Sequence, residues 1–94
     1  MLVWDLLGGQ QAPPFSAVLS CVLEEGGRVG RHVQQACPEI VIGLAGHGEV
    51  RVDGVSRPFG PGAVVHLPLG HSLEIVNEST EAPLRYLIVK AEPA

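Results

Sequence analysis

Two stretches of this 94-residue chain decide its fold: residues 26–46, GGRVGRHVQQACPEIVIGLAG, and residues 62–77, GAVVHLPLGHSLEIVN. Around and within them lie short apolar runs rich in Val, Ile and Leu, at residues 15–23, 40–45, 63–67, 73–76 and 84–90. Clusters of Gly, Pro, Asn and Asp separate these runs. Turns at intervals of about 8–12 residues around short apolar runs are typical of an all-β sandwich or barrel. The sequence therefore predicts an all-β fold built from antiparallel strands.

One hairpin is predicted with its turn. Val50, Val52 and Val55 alternate with polar residues on either side of Asp53-Gly54. An Asp-Gly pair suits the two-residue hairpin turn because both positions require positive φ angles. We expect a tight hairpin at this place.

The first fourteen residues stand apart from the rest. Residues 1–7 are apolar and contain the only tryptophan, and Pro13 and Pro14, which cannot donate to a strand ladder, follow them. We divide the chain into an N-terminal strand with its linker, residues 1–14, and a single barrel domain, residues 15–94. The strand either pairs within its own chain or is exchanged with a second copy in a dimer, since exposed edges invite pairing.

The charge and composition of the chain indicate which classes of binding partner to expect. The net charge is −4 and the six basic residues are dispersed, which argues against nucleic acid. No apolar run approaches the roughly 20 residues of a membrane helix, so no membrane partner is expected. Hydrophobic residues make up 46% of this small chain, and self-association as a homodimer would cover that surplus. We expect Cys21 to be a small buried apolar residue and Cys37 to be a free thiol in a loop. Because the two cysteines form no disulfide pattern, we expect a reducing, cytoplasmic environment.

The two stretches share a spacing that resembles the double motif of the cupins. The first half reads Gly26-x5-His32-x-Gln34-x4-Glu39-x6-Gly46, and the second reads Gly62-x5-Pro68-x-Gly70-x2-Leu73-x3-Asn77. The resemblance covers about residues 19–92. It implies a jelly-roll β-barrel of the RmlC-like kind, a small single-domain monocupin that is commonly a homodimer, with its ligand site inside the barrel.

The resemblance also implies a metal site, with two of its positions altered. Gln34 and Leu73 stand where most metal-binding cupins have histidine, which leaves His32 and Glu39 as the intact ligand positions. His71 precedes Leu73 by two residues, so a bend after Gly70 would let it complete a set of two histidines and one carboxylate. The candidate metal ligands are therefore His32, Gln34, Glu39 and His71, for a divalent iron, manganese, nickel or zinc ion. The open alternatives for His71 are a solvent-exposed rim position and a metal-free role in ligand binding.

Without a metal, His32 and Glu39 are the candidate catalytic pair. A carboxylate inside an apolar barrel needs a hydrogen-bonding or charged partner, and a histidine beside it can exchange a proton with it. The alternative is that the two residues only satisfy each other. We place Leu73 and His66 in the predicted ligand pocket, although strand parity leaves His66 either inside the barrel or on its outer face. His47, between two glycines, is expected to be exposed.

Three functions from different classes follow from these residues. The first is binding of a small molecule in the barrel, with weak or no catalysis. The second is a metal-dependent enzyme of the dioxygenase, isomerase or lyase class, acting on a small organic acid or sugar. The third is a dimerising scaffold whose site is vestigial. The sequence does not identify the ligand, the reaction or the metal.

Overall fold

A computed structural model describes residues 1–93, and every regular element in that range is a β-strand. The nine strands are β1 (Leu2–Asp5), β2 (Phe15–Leu23), β3 (Arg28–Val33), β4 (Glu39–Ala45), β5 (Gly48–Val52), β6 (Val55–Phe59), β7 (Val64–Leu67), β8 (Ser72–Val76) and β9 (Leu84–Ala91). The all-β prediction is confirmed. In this described range no helix has the length and apolar character needed to cross a membrane.

The strands form two antiparallel sheets that pack face to face. The larger sheet has the order β1-β2-β9-β4-β7, and the smaller has the order β3-β8-β5-β6. Consecutive strands such as β2 and β3, or β7 and β8, lie in different sheets, so the chain crosses repeatedly between the two. The core lies between them and consists of Cys21, Leu23, Val41, Val50, Phe59, Val65, Leu67, Leu73, Ile75, Leu84 and Tyr86. Their spacing follows the two-residue period of strands with one face buried.

The predicted hairpin is present. β5 and β6 pair with Val52 opposite Val55, which leaves Asp53 and Gly54 as the two turn residues. Both have positive φ, 51° and 80°, as this turn requires.

The N-terminal strand adopts the first of its two predicted arrangements. β1 is the edge strand of the larger sheet and pairs antiparallel with β2 of the same chain, with Leu2 opposite Val22 and Asp5 opposite Leu19. Exchange of this strand between two copies stays a prediction.

Candidate functional site

An apolar cavity of about 190 Å³ lies between the two sheets. Its walls combine side chains of the larger sheet with side chains of the smaller one. They are Met1, Val3, Leu19, Cys21, Val29, His32, Glu39, Leu73, Ile75, Tyr86, Ile88 and Lys90. Burial raises the pKa of both the Cys21 thiol and the Tyr86 phenol, so neither is charged at neutral pH. The polar end of the cavity is therefore formed by His32, Glu39 and Lys90.

Strand register brings these polar groups together. Glu39 on β4 has Leu67 opposite it on one side and Lys90 on the other. Leu67 is fully buried, so this row of side chains points into the barrel. On the facing sheet His32 of β3 lies opposite Leu73 of β8. The smaller sheet thus contributes the predicted site residues His32 and Leu73 to this space, and the larger sheet contributes Glu39 together with Lys90.

Glu39 is the buried charged group of the site, at 4% exposure. Its Oε2 atom accepts a hydrogen bond from Gln34 Nε2 at 2.8 Å and lies 3.8 Å from Lys90 Nζ. Burial raises the pKa of the Glu39 carboxyl above its ordinary value, and the positive charge of Lys90 opposes that shift. The negative charge of the Glu39 carboxylate is therefore stabilised at Oε2, the atom that Gln34 and Lys90 both approach.

Gln34 is held as a hydrogen-bond donor. Its Nε2 group also donates to the backbone carbonyl of Cys37 at 2.9 Å. Both partners, this carbonyl and the Glu39 carboxylate, can only accept, which fixes the amide with its NH₂ group toward Glu39. Backbone bonds from Gln34 N to His71 O and from Gly70 N to Gln34 O hold the residue against the turn before β8.

His32 faces the same cavity without contacting Glu39 directly. Its Nδ1 atom lies 3.1 Å from the carbonyl oxygen of Gly30, which can only accept, so Nδ1 carries a proton in this arrangement. In the neutral ring the Nε2 atom is then a free acceptor within the described residues. The proposed His32–Glu39 pair shares one cavity, but each member has other hydrogen-bonding partners.

Two predicted site residues lie elsewhere. His71 is exposed at the turn before β8, and its Nδ1 atom lies 2.5 Å from Asp53 Oδ2 in the β5–β6 turn. His66 is exposed on the outer face of β7, because the buried side chains of Val65 and Leu67 take the inward positions on either side of it. The structure therefore does not bring His71 or His66 to the wall of the cavity that holds His32, Glu39 and Leu73.

Lys90 is the site residue that sequence reasoning missed. It lies on the same side of β9 as Leu84, Tyr86 and Ile88, and the burial of Leu84 and Tyr86 identifies that side as the interior. Strand parity along residues 84–90 was the available signal. His47, as expected, is exposed, and Cys21 is buried in the core.

The residues present do not fit a transition-metal ion. Leu73 offers no donor atom, Gln34 turns its NH₂ group toward the carboxylate, and His71 pairs with Asp53. Two ligating side chains remain, whereas transition-metal sites in proteins generally use three or four. Among residues 1–93 no group of three or more His, Cys, Asp or Glu side chains is arranged to hold a metal.

A second, larger depression of about 370 Å³ lies outside the barrel, between β2 and the loop at residues 6–14 that precedes it. Among residues 1–93 the charged side chains that line it are those of Asp5 and Glu92. Asp5 already accepts hydrogen bonds from the backbone of Leu7 and Gly8. The internal cavity is therefore the better candidate site.

Comparison with solved structures gives the same architecture. A Cupin 2 conserved barrel domain protein from Salinispora arenicola is 31% identical, with a TM-score of 0.81 over 96% of this chain and 74% of its own. A protein from Thermotoga maritima, named as a predicted oxalate decarboxylase, is 26% identical, with a TM-score of 0.79 over 85% of this chain and 69% of its own. A cupin protein from Bacteroides fragilis, at 18% identity, superposes with a TM-score of 0.83 over 99% of this chain and 78% of its own.

At the sequence level no curated protein matches the chain. The family model described as Cupin domain matches residues 19–90, which include both halves of the spaced motif and all four site residues His32, Gln34, Glu39 and Lys90. The two-sheet barrel and the spacing of the motif indicate the same family as this match. The chain belongs to the cupin domain family.

Proposed function

We propose that this protein binds a small organic molecule in the barrel cavity, with weak or no catalysis. The observation that carries the proposal is the cavity itself, which has apolar walls and a polar end formed by His32, Glu39 and Lys90. Small-molecule sites commonly combine an apolar lining with a few polar groups that orient the ligand. At about 190 Å³ the cavity is smaller than the roughly 300–1,000 Å³ of sites for drug-sized molecules, so the ligand is a small one.

The polar contacts favour binding over proton transfer. His32 donates to Gly30, and Glu39 is engaged with Gln34 and Lys90, so no hydrogen bond joins the two candidate catalytic residues. General acid–base catalysis requires the proton donor and acceptor to be within hydrogen-bonding reach of the reacting group. A bound ligand would have to bridge His32 and Glu39 for the pair to act together.

The metal-dependent enzyme is the second candidate, and the name of the Thermotoga maritima relative is what favours it. The donor set opposes it, since Leu73 and Gln34 supply no metal ligand. Elemental analysis after reconstitution with iron, manganese, nickel and zinc decides between the candidates. A stoichiometric metal that is lost in His32→Ala would support the enzyme and contradict our proposal.

A cavity-filling substitution tests the proposed function. Val29 lines the cavity, and Val29→Phe places an aromatic ring in the space that the ligand would occupy. Val55→Phe makes the same change at a side chain that is 71% exposed on β6. Binding of small organic compounds is measured by chemical-shift titration of the protein amides. We expect Val29→Phe to weaken binding at least about tenfold, as loss of a buried apolar contact surface implies, and Val55→Phe to leave it unchanged.

Equal binding by the two variants would contradict the proposal. So would chemical-shift changes confined to residues outside the cavity wall.

A further inference from the structure

Three hydrogen-bonding groups at the polar end of the cavity are left without partners among residues 1–93. Lys90 Nζ is 3.8 Å from Glu39 Oε2, too far for a hydrogen bond, and makes no other polar contact in that range. Glu39 Oε1 accepts no hydrogen bond, since Gln34 bonds to Oε2. His32 Nε2 is the third, because its hydrogen bond to Gly30 is made through Nδ1.

These groups are accessible rather than sealed in. No buried side-chain nitrogen or oxygen among the described residues lacks a hydrogen bond, so the partnerless Glu39 Oε1 is in reach of solvent. The Lys90 side chain is about one-third exposed, whereas that of Glu39 is almost completely buried. A molecule that enters the cavity therefore meets one cationic donor and two acceptors.

The charges at this end already cancel. Lys90 and Glu39 are neighbours on adjacent strands and form a neutral pair against apolar walls. A ligand carboxylate at Lys90 would put a second negative charge beside Glu39, and like charges in a poorly solvated site repel strongly. A carboxylate also lacks the donor that Glu39 Oε1 and His32 Nε2 require.

We propose that the cavity takes an uncharged hydroxylated ligand, such as a short hydroxy ketone or alcohol, rather than an organic acid. This inference rests on the proposed binding function and names its ligand class. The ligand's hydroxyl group donates to Glu39 Oε1, and an oxygen of the ligand accepts from Lys90 Nζ. Its short carbon chain lies among apolar side chains such as Val29, Leu73 and Ile88, which line the same space.

Three four-carbon probes separate the alternatives in chemical-shift titrations at neutral pH: 3-hydroxy-2-butanone, 2-butanone and butanoate. We expect the hydroxy ketone to bind most tightly, the ketone less tightly because it cannot donate to Glu39, and butanoate most weakly. The advantage of the hydroxy ketone over butanoate should be at least about tenfold, the effect of one charge-assisted hydrogen bond.

Removal of the Glu39 charge should reverse this order. In Glu39→Gln the Lys90 ammonium has no counter-charge, so butanoate should then bind more tightly than the hydroxy ketone. Glu25→Gln makes the same change at an exposed carboxylate and should keep the original order. Glu39→Gln combined with Lys90→Met should lose the gained butanoate binding, which identifies Lys90 as its source.

The outcomes separate a failure of the proposed ligand class from a failure of the proposed binding function. Tightest binding of butanoate by the unaltered protein, equal binding of the hydroxy ketone and 2-butanone, or an unchanged order in Glu39→Gln would overturn the ligand class while cavity binding stands. If Val29→Phe does not weaken binding of the preferred probe, the cavity function fails and the inference fails with it.

Discussion

Asn77, a residue of the second half of the motif, stabilises the barrel through hydrogen bonds to the backbone and is not among the residues that line the cavity. It is 1% exposed, and its Nδ2 group donates to the backbone carbonyls of Leu23, Glu24 and Ala82 at 3.0–3.1 Å. Its Oδ1 atom accepts from the backbone of Ser79 at 3.0 Å. The amide therefore joins the end of β2, the turn that follows and the loop before β9.

Replacement of Asn77 should cost substantial stability. Asn77→Ala removes the donor to three carbonyl groups and the acceptor for one amide in a buried setting. A buried polar group left unsatisfied costs about 1–3 kcal/mol, so we expect a loss of about 2–3 kcal/mol in the free energy of unfolding. Urea denaturation measures it, with Thr80→Ala at a neighbouring exposed position as the control. A loss no greater than that of the control would show that other groups or water replace the amide.

The site residues divide into those that strand parity could locate and those that it could not. The motif groups His32, Gln34 and Glu39; in the structure Gln34 donates to Glu39, and His32 lines the same cavity as Glu39 without contacting it. His66 could not be oriented because Pro68 and the turn at Gly70 interrupt the strand period between it and Leu73. His71 depended on the same bend, and in the structure Asp53 of another turn pairs with it.

The role of Lys90 depends on a strand pairing that no local pattern contains. Parity alone places its side chain inside the barrel. Its position opposite Glu39 follows from the antiparallel register of β4 and β9, which are about fifty residues apart in sequence. Long-range pairing of this kind is set by packing of the whole sheet.

Among the elements, most strands follow from their apolar runs and β3 does not. β2 coincides with the predicted run at residues 15–23, and β4, β7, β8 and β9 begin or end within one residue of theirs. β3, Arg28–Val33, has no such run, because five of its six residues are exposed at the edge of the smaller sheet.

The turn at residues 60–63 packs closely against Gly43 of β4, and this contact gives a testable prediction. Its backbone N–H donates to Ala63 O and its carbonyl accepts from Gly62 N, which draws the turn at residues 60–63 onto the strand. A Cβ atom on Gly43 would meet the carbonyl group of Gly60, whose carbon would be 2.8 Å away. The Gly60 atoms that this Cβ atom would meet belong to the backbone, so no flexible side chain can move aside to make room.

We expect Gly43→Ala to destabilise the protein by about 1–3 kcal/mol, the usual cost of overpacking. Gly30→Ala is the matched control, because a Cβ atom on Gly30 of β3 would have nothing within 4 Å. That substitution should be neutral or slightly stabilising, since alanine restricts the unfolded chain more than glycine does. Equal unfolding free energies for the two variants in urea would contradict the account of Gly43.

At the scale of the whole barrel, the outer face of the larger sheet is broad, largely apolar and exposed among residues 1–93. The outward positions of the larger sheet, read from its strand register, include Ser20, His66 and Arg85. The other outward positions are apolar: Leu2, Trp4, Val18, Val22, Ile40, Ile42, Val64, Leu87 and Val89. Four of them are strongly exposed: Leu2 at 60%, Trp4 at 49%, Ile40 at 41% and Val64 at 58%. Apolar faces of this extent on small proteins commonly mark sites of association.

We propose that this face joins two copies of the chain, which matches the surplus of hydrophobic residues in the sequence. Because twofold dimers use the same patch on both subunits, one charge introduced on the face appears twice in the interface. Val64→Lys combined with Ile40→Lys should therefore convert the dimer into a monomer, while Val55→Lys on the smaller sheet should leave it intact. Sedimentation equilibrium measures the mass of each variant. A monomeric unaltered protein at its highest soluble concentration, or a dimer that survives the double substitution, would contradict this interface.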